Sequence, residues 1–168
     1  MKITTIPQTT GKEPYASFFT AFLEKGLNVP KPLLLMSASP PLFNVYKQIL
    51  MHYLSHEHLQ PKLLACIRYA VAYKSHFAAC VETNRDILNL HGVTDLSCLE
   101  KETPLPDMSH EDSQIFTFAA DALFHPERVT RVRIEQLVDT GIPEQIIFDA
   151  AYHGAMLLMM GPLVASLG

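Results

Sequence analysis

The sequence has no tryptophan, only three cysteines and no concentrated run of basic residues. Cys66, Cys80 and Cys98 are odd in number and lack the spacing of a disulfide framework, so we expect a reducing compartment. The 13 Lys and Arg residues are scattered and are outnumbered by 17 Asp and Glu, which gives a net charge of −4. Binding to phosphate backbones needs a concentrated basic surface. We therefore expect no nucleic-acid partner.

Segments typical of secreted and membrane proteins are also missing. Residues 1–19 contain no continuous apolar stretch like that of a secretory signal. The nearest approach to a membrane span is residues 154–168, a short uncharged stretch that contains Pro162. The chain has 168 residues, 48% of them hydrophobic, which suits one buried core. We expect a single soluble, cytoplasmic domain over residues 1–168, with no membrane partner.

Strand-like alternation is short or absent, and helical periodicity is interrupted by Pro, Gly and Ser breaks. This pattern predicts an all-α fold of about seven helices without a sheet. The first predicted helices cover residues 13–25 and 42–54. Residues 60–73 and 75–90 are predicted as two helices or one bent helix. The last three are a helix that opens at Ser109 and runs through Phe124, a shorter one between Thr130 and Gly141, and one from Glu144 to about Leu158.

Several residues are predicted to mark the helix ends. Ser109, with Asp112 three residues later, resembles a capping box, and Thr130 and Ser75 are predicted to cap the helices that follow them. The predicted C-terminal stops are Gly26, Gly92 and Gly141. The last helix is nearly apolar on several faces, so we expect it to be buried in the core or between subunits.

Two stretches resemble the carboxymuconolactone decarboxylase and alkylhydroperoxidase D superfamily. Residues 59–93, LQPKLLACIRYAVAYKSHFAACVETNRDILNLHGV, resemble the central helical hairpin of that family. Residues 108–158 are similar to its second half: an Ala-rich capped helix, a P-x-x-V-T step, the ending L-x-x-x-G-I-P-E-Q-I, and a helix of small residues. The resemblance implies a helical family-like core at residues 39–168, an N-terminal extension helix at residues 1–38, and a homo-oligomer, commonly a trimer or hexamer.

Most of the family's redox signature is replaced in this chain. Redox members carry Cys-x-x-Cys, with a His four residues after the second Cys and a Glu twelve residues before the first. At this spacing the second Cys corresponds to Cys80, whereas Phe77, Asn84 and Ala65 occupy the positions of the first Cys, the His and the Glu. Decarboxylase-type members place a His near the start of the same helix, where this chain again has Cys80. The resemblance therefore implies the fold more directly than the activity.

A polar and aromatic stripe lies in the predicted hairpin. Tyr69, Tyr73, His76, Cys80 and Asn84 share one face if the helix is continuous. A histidine one turn from a thiol can remove its proton, and a nearby helix N-terminus would lower the thiol pKa further. Cys80 and His76 are therefore the predicted catalytic residues. The alternative interpretation makes Cys80 a core-filling thiol and the tyrosines packing residues.

The predicted substrate-binding residues are Tyr73, Phe77, Asn84 and His153. His153 lies among small residues that permit close helix packing, where a buried polar ring needs a partner. It can line the pocket or act as a satisfied core histidine. As a resolving thiol, Cys66 would lie about 21 Å from Cys80 along a continuous helix, beyond disulfide reach.

We expect a small-molecule substrate and no cofactor. Three hypotheses for the function remain open. The favoured one is thiol-dependent, peroxidase-like oxidoreductase chemistry at the single Cys80, because that cysteine matches one of the redox pair. The second is acid–base chemistry on a carboxylated or lactone-like compound, with His76 or His153 as the acid or base. The third is a non-catalytic protein that binds a ligand or serves assembly.

A metal site is the weakest hypothesis. His52 and His56 stand four residues apart, and two histidines on one helical face bind a divalent ion when a third ligand joins them. The spacing matches no established zinc pattern, so we expect a solvated helix end and no metal.

Overall fold

The computed structural model describes residues 3–168, which contain nine α-helices and no strand. The helices are α1 (Tyr15–Leu23), α2 (Lys31–Met36), α3 (Pro40–Leu54), α4 (Pro61–Lys74), α5 (Ala78–Leu90), α6 (Ser97–Glu100), α7 (His110–Phe124), α8 (Arg131–Asp139) and α9 (Glu144–Leu167), with a 3₁₀ turn at Pro126–Arg128. The predicted all-α fold class is confirmed.

Local capping chemistry explains two helix starts. The Ser109 hydroxyl oxygen accepts the backbone N–H of Asp112 at 3.0 Å, and that of Thr130 accepts the N–H of Arg133 at 3.2 Å. Just beyond the ends of α1, α5 and α8, the backbone takes the left-handed conformation that glycine adopts without strain, with φ of 71°, 76° and 98° at Gly26, Gly92 and Gly141. These predicted helix boundaries are confirmed.

The break between α4 and α5 differs from the prediction. Ser75 follows the last residue of α4 instead of capping α5, whose N-cap position is Phe77 without a side-chain hydrogen bond. His76 has a φ of 59°, a left-handed conformation that a continuing helix cannot contain. The two helices pack against each other as a hairpin. The capping prediction for Ser75 and the continuous stripe across this segment are therefore wrong.

Helix α9 extends past the predicted end at Leu158 to Leu167, with Pro162 inside it. Proline removes one backbone hydrogen bond, a cost that tertiary packing on the buried face can offset. By length and composition α9 could cross a membrane, and 44% of its most apolar window is buried within the protein. The cytoplasmic location stays a prediction.

Two glycines let α9 approach its neighbours closely. A Cβ on Gly154 would lie 2.5 Å from Cδ1 of Leu123 on α7 and 3.2 Å from Cγ2 of Ile67 on α4. A Cβ on Gly161 would lie 2.2 to 2.4 Å from three ring atoms of Phe77. Glycine at these positions therefore allows α9 to pack on α4 and α7 and to receive the ring that begins α5.

The opposite face of α9 is apolar and exposed. Its large side chains are Phe148, Tyr152, Met159 and Leu163, which are 66%, 42%, 58% and 41% exposed. Such a face suits the homo-oligomer expected from the sequence, which stays a prediction. The division into residues 1–38 and 39–168 also stays a prediction, although α2 packs on α3 and α9.

Gly161→Ala should destabilise the protein. The new methyl group would clash with the Phe77 ring, and we expect the free energy of unfolding to fall by about 1–3 kcal/mol, although alanine favours a helix more than glycine does. Urea unfolding measures this loss. Gly11→Ala is the control because a Cβ there meets nothing within 4 Å. Adding Phe77→Leu should recover part of the loss, and a Gly161→Ala variant as stable as the wild type would contradict the packing argument.

Candidate functional site

A cavity of about 160 Å³ lies among α1, α3, α4, α5 and α9 and the start of α2. Its wall is mainly apolar. Leu33 is 1% exposed, whereas the lining residues Leu54 and Pro61 are exposed, which places the mouth between the end of α3 and the start of α4. The apolar lining consists of Phe18, Phe22, Pro30, Leu33, Tyr46, Leu50, Leu54, Pro61, Leu64, Ala65 and Ile87.

His153 on α9 contributes a buried polar ring to this wall. It is 4% exposed, and its ring centroid lies 4.3 Å from that of Tyr53. Neither ring nitrogen has a hydrogen-bond partner within residues 3–168. Burial lowers the pKa of His153 well below its usual value, and the positive charge of Arg68 lowers the pKa further. The imidazole is therefore neutral at physiological pH.

Tyr53 on α3 is held against His153 by a hydrogen bond of its own. Its hydroxyl donates to the backbone carbonyl of Asp149 at 2.9 Å, one helical turn before His153. Burial raises the Tyr53 pKa, so the phenol stays protonated and keeps donating. Because that hydroxyl is already engaged, the ring packs beside His153 without satisfying either of its nitrogens.

Arg68 on α4 is the one formally charged side chain among the described residues that line the cavity. Its guanidinium forms no ion pair with a carboxylate in the described part of the chain. Arg68 is not among the residues predicted from the sequence, although the sequence contains a signal for it. It is the single charge in the otherwise apolar run from Leu63 to Ala72, where every other residue is buried.

Asn84, one of the predicted substrate-binding residues, also lines the cavity. It is 1% exposed, and its amide nitrogen donates to the carbonyl of Cys80 at 2.7 Å, which turns the side chain back along α5. The neighbouring lining residue Thr83 donates its hydroxyl to the carbonyl of Ala79 at 3.0 Å. Of the four predicted substrate-binding residues, the structure brings Asn84 and His153 together in this wall.

The other predicted site residues lie elsewhere. Tyr73 is 40% exposed and stacks on Tyr69 with ring centroids 6.1 Å apart. Phe77 packs against Gly161 instead of facing the cavity. His76 is exposed in the turn between α4 and α5. The helix break explains this dispersal, because the expected common face required a continuous helix.

Cys80 lies in the first turn of α5 but is only 3% exposed and does not line the cavity. Burial raises the pKa of its thiol, and the positive charges of Arg68 and Lys31 oppose that rise. The net result is a raised pKa, whereas an activated thiol has a lowered one. Its catalytic assignment with His76 stays a prediction, and no described hydrogen bond joins the two side chains.

Cys66 is fully buried on α4, and burial raises the pKa of its thiol to about 12. The distance of about 21 Å from Cys80 does not apply, since it assumed 1.5 Å per residue along one helix and the chain folds into a hairpin. All three cysteines are free in the structure.

Three potential metal ligands meet at the end of α3. His52, His56 and Asp149 place their ligand atoms within 4.8 Å of one another. However, Nδ1 of His56 accepts the backbone N–H groups of His58 and Leu59 at 3.2 and 3.0 Å. The neutral ring must then carry its proton on Nε2, where it donates to Asp149 at 3.3 Å. Metal binding through Nε2 would sacrifice these bonds, so the arrangement favours a structural turn.

Comparison with known proteins supports the fold. No protein-family model and no curated protein matches the sequence. The crystal structure of an uncharacterized peroxidase-related protein from Silicibacter sp. TM1040 aligns with a TM-score of 0.73 over 99% of this chain and 89% of that one, at 17% sequence identity. At this identity the likeness shows a shared fold, which fits the alkylhydroperoxidase-like architecture expected from the sequence; membership of the superfamily stays a prediction.

The Cys80 thiol should react slowly with iodoacetamide in the native state. Because its pKa is raised, the thiolate fraction at pH 7 is below that of an ordinary cysteine. Mass spectrometry of labelled peptides should show faster labelling in urea than in buffer, and an equal native rate in His76→Ala. A slower rate in His76→Ala would instead support the catalytic pair.

His153 should make the protein less stable in acid. The folded state holds the ring neutral, whereas the unfolded chain takes up a proton below a pKa of about 6.5. Stability present above that pH is therefore lost as the pH falls, by up to about 1.4 kcal/mol per pH unit. Urea unfolding of His153→Phe should lack this component, whereas exposed His91→Gln should keep it. Parallel curves for the wild type and His153→Phe would contradict the neutral assignment.

Proposed function

We propose that the protein is a small-molecule enzyme that carries out acid–base chemistry in the cavity, with His153 as the residue that exchanges the proton. One observation carries the proposal: a 4% exposed imidazole faces a cavity with no partner for either nitrogen within the described residues. Buried polar groups are almost always hydrogen-bonded, and exceptions concentrate at functional sites.

The environment of His153 suits a general base. In a neutral imidazole one nitrogen accepts a proton while the other can donate a hydrogen bond. The lowered pKa keeps the ring unprotonated at neutral pH, so that it can accept a proton, and it also makes the ring a weaker base than an ordinary histidine. The apolar wall limits the water around the reacting group, which strengthens charge interactions there.

Arg68 supplies a positive charge that would stabilise the anion formed when a proton is removed from the substrate. When His153 removes a proton from a substrate, an anion and an imidazolium form together. A guanidinium at the same wall stabilises the anion and disfavours the imidazolium, so the proton is held briefly and returned to another substrate atom. Carbonyl compounds such as carboxylated or lactone-like metabolites form anions of this kind.

A single-cysteine peroxidase is the second candidate. In its favour, Lys31 and Arg68 lower the Cys80 pKa, and a protein of similar fold is described as peroxidase-related. Against it, burial dominates the pKa, and the thiol does not line the cavity. This chemistry would need peroxide and an external thiol to resolve a Cys80 sulfenic acid.

Two assays on the same variants separate these functions. One follows conversion or solvent-deuterium exchange of a panel of small lactones, keto acids and ketones by NMR. The other follows cumene hydroperoxide consumption with dithiothreitol. We expect activity in the first assay to fall at least about 100-fold in His153→Gln and to persist in Cys80→Ser.

The converse pattern identifies the other candidate. Peroxide consumption that disappears in Cys80→Ser and survives in His153→Gln would overturn the acid–base proposal. Binding of panel members without conversion or exchange of any of them would leave a ligand-binding protein. Circular dichroism of each variant controls for loss of fold.

A further inference from the structure

The charge balance of the cavity restricts its ligand. Arg68 is the one formal charge among the described lining residues, and the wall contains no carboxylate. The guanidinium of Arg68 forms no ion pair within the described residues, and a bound anion would give it a partner of opposite charge. A cationic ligand would be repelled, so the wall favours a ligand with a negative charge.

The size of the cavity restricts the rest of the ligand. Its volume is about 160 Å³, and an apolar protein cavity of about 150 Å³ accommodates one benzene molecule. Aromatic and aliphatic side chains such as Phe18, Leu33 and Leu64 form most of the surface. The part of the ligand that lies inside the cavity should therefore be apolar and about the size of one six-membered ring with a short substituent.

We infer that the cavity binds a monocarboxylic acid with a benzene-sized apolar body, whose carboxylate pairs with the guanidinium of Arg68. This inference rests on the proposed function for the location of the site and goes beyond it by naming the ligand class. A guanidinium matches the two oxygens of a carboxylate through paired N–H donors.

His153 fits the same ligand. A neutral imidazole can donate one N–H to a carboxylate oxygen or accept from a ligand hydroxyl, which would give one of its nitrogens a partner. A bound carboxylate would also offset the positive charge of Arg68 that lowers the His153 pKa.

Benzoate, benzamide and benzylamine are the probes, because they share one ring and differ in charge. Isothermal titration calorimetry at low salt should show that benzoate binds at least about tenfold more tightly than benzamide, with benzylamine weakest. Arg68→Gln should remove the preference for benzoate, and Arg68→Lys should keep part of it. Arg131→Gln is the control, since this side chain is 91% exposed on α8 and its loss also removes one positive charge.

The comparison of benzoate with benzamide uses the wild-type protein, so it does not depend on whether any variant folds. Equal affinity for benzoate and benzamide, or a preference for benzoate that survives in Arg68→Gln, would overturn the carboxylate assignment. Absence of benzoate binding would overturn it as well, even if His153-dependent turnover of neutral carbonyl compounds is found. Conversely, Arg68-dependent benzoate binding without any turnover would uphold the ligand class and reject the proposed catalysis.

Discussion

The close approach of α9 to α4 and α7 is the constraint on which the site depends. At Gly154 there is no room for a methyl group between α9, Leu123 and Ile67, and at Gly161 the Phe77 ring fills the space that a side chain would need. The first contact brings His153, the preceding residue, to the wall that α4 lines. The contact between Gly161 and Phe77 helps to fix the position of the start of α5. Two glycines on the same face of α9 thus help to set the positions of α4 and α5, which line the cavity together with α9.

This packing places the polar ring of His153 in an apolar wall, where no described residue forms a hydrogen bond with it. Elsewhere in the described part of the chain, buried polar groups have partners: Tyr53 donates to Asp149, Asn84 donates to Cys80, and Asp121 accepts from Arg128 and forms an ion pair with Arg133. His153 is the exception within residues 3–168. An imidazole without a partner costs free energy, and local departures of this kind tend to occur where function requires them.

Sequence reasoning succeeded where the determining interaction is local. The caps of α7 and α8 and the glycines beyond α1, α5 and α8 depend on residues within one or two turns, so their chemistry is visible in the sequence. It failed at Ser75 and at the end of α9. A left-handed His76 has no strong local signature, and a helix that continues past Pro162 depends on the packing of its other face.

The site itself was only half predictable for the same reason. Asn84 and His153 were identified, but they lie on different helices from Arg68, and only the tertiary fold brings the three together. The spacing of residues in the sequence favoured Cys80 as a catalytic thiol. Its pKa is raised by burial, which the spacing does not reveal. Arg68 and His153 are not hydrogen-bonded to each other within residues 3–168, and the charge of Arg68 opposes protonation of the ring. A ligand with a negative charge would accept hydrogen bonds from the guanidinium and from the N–H of the neutral ring, and would therefore give both side chains a partner.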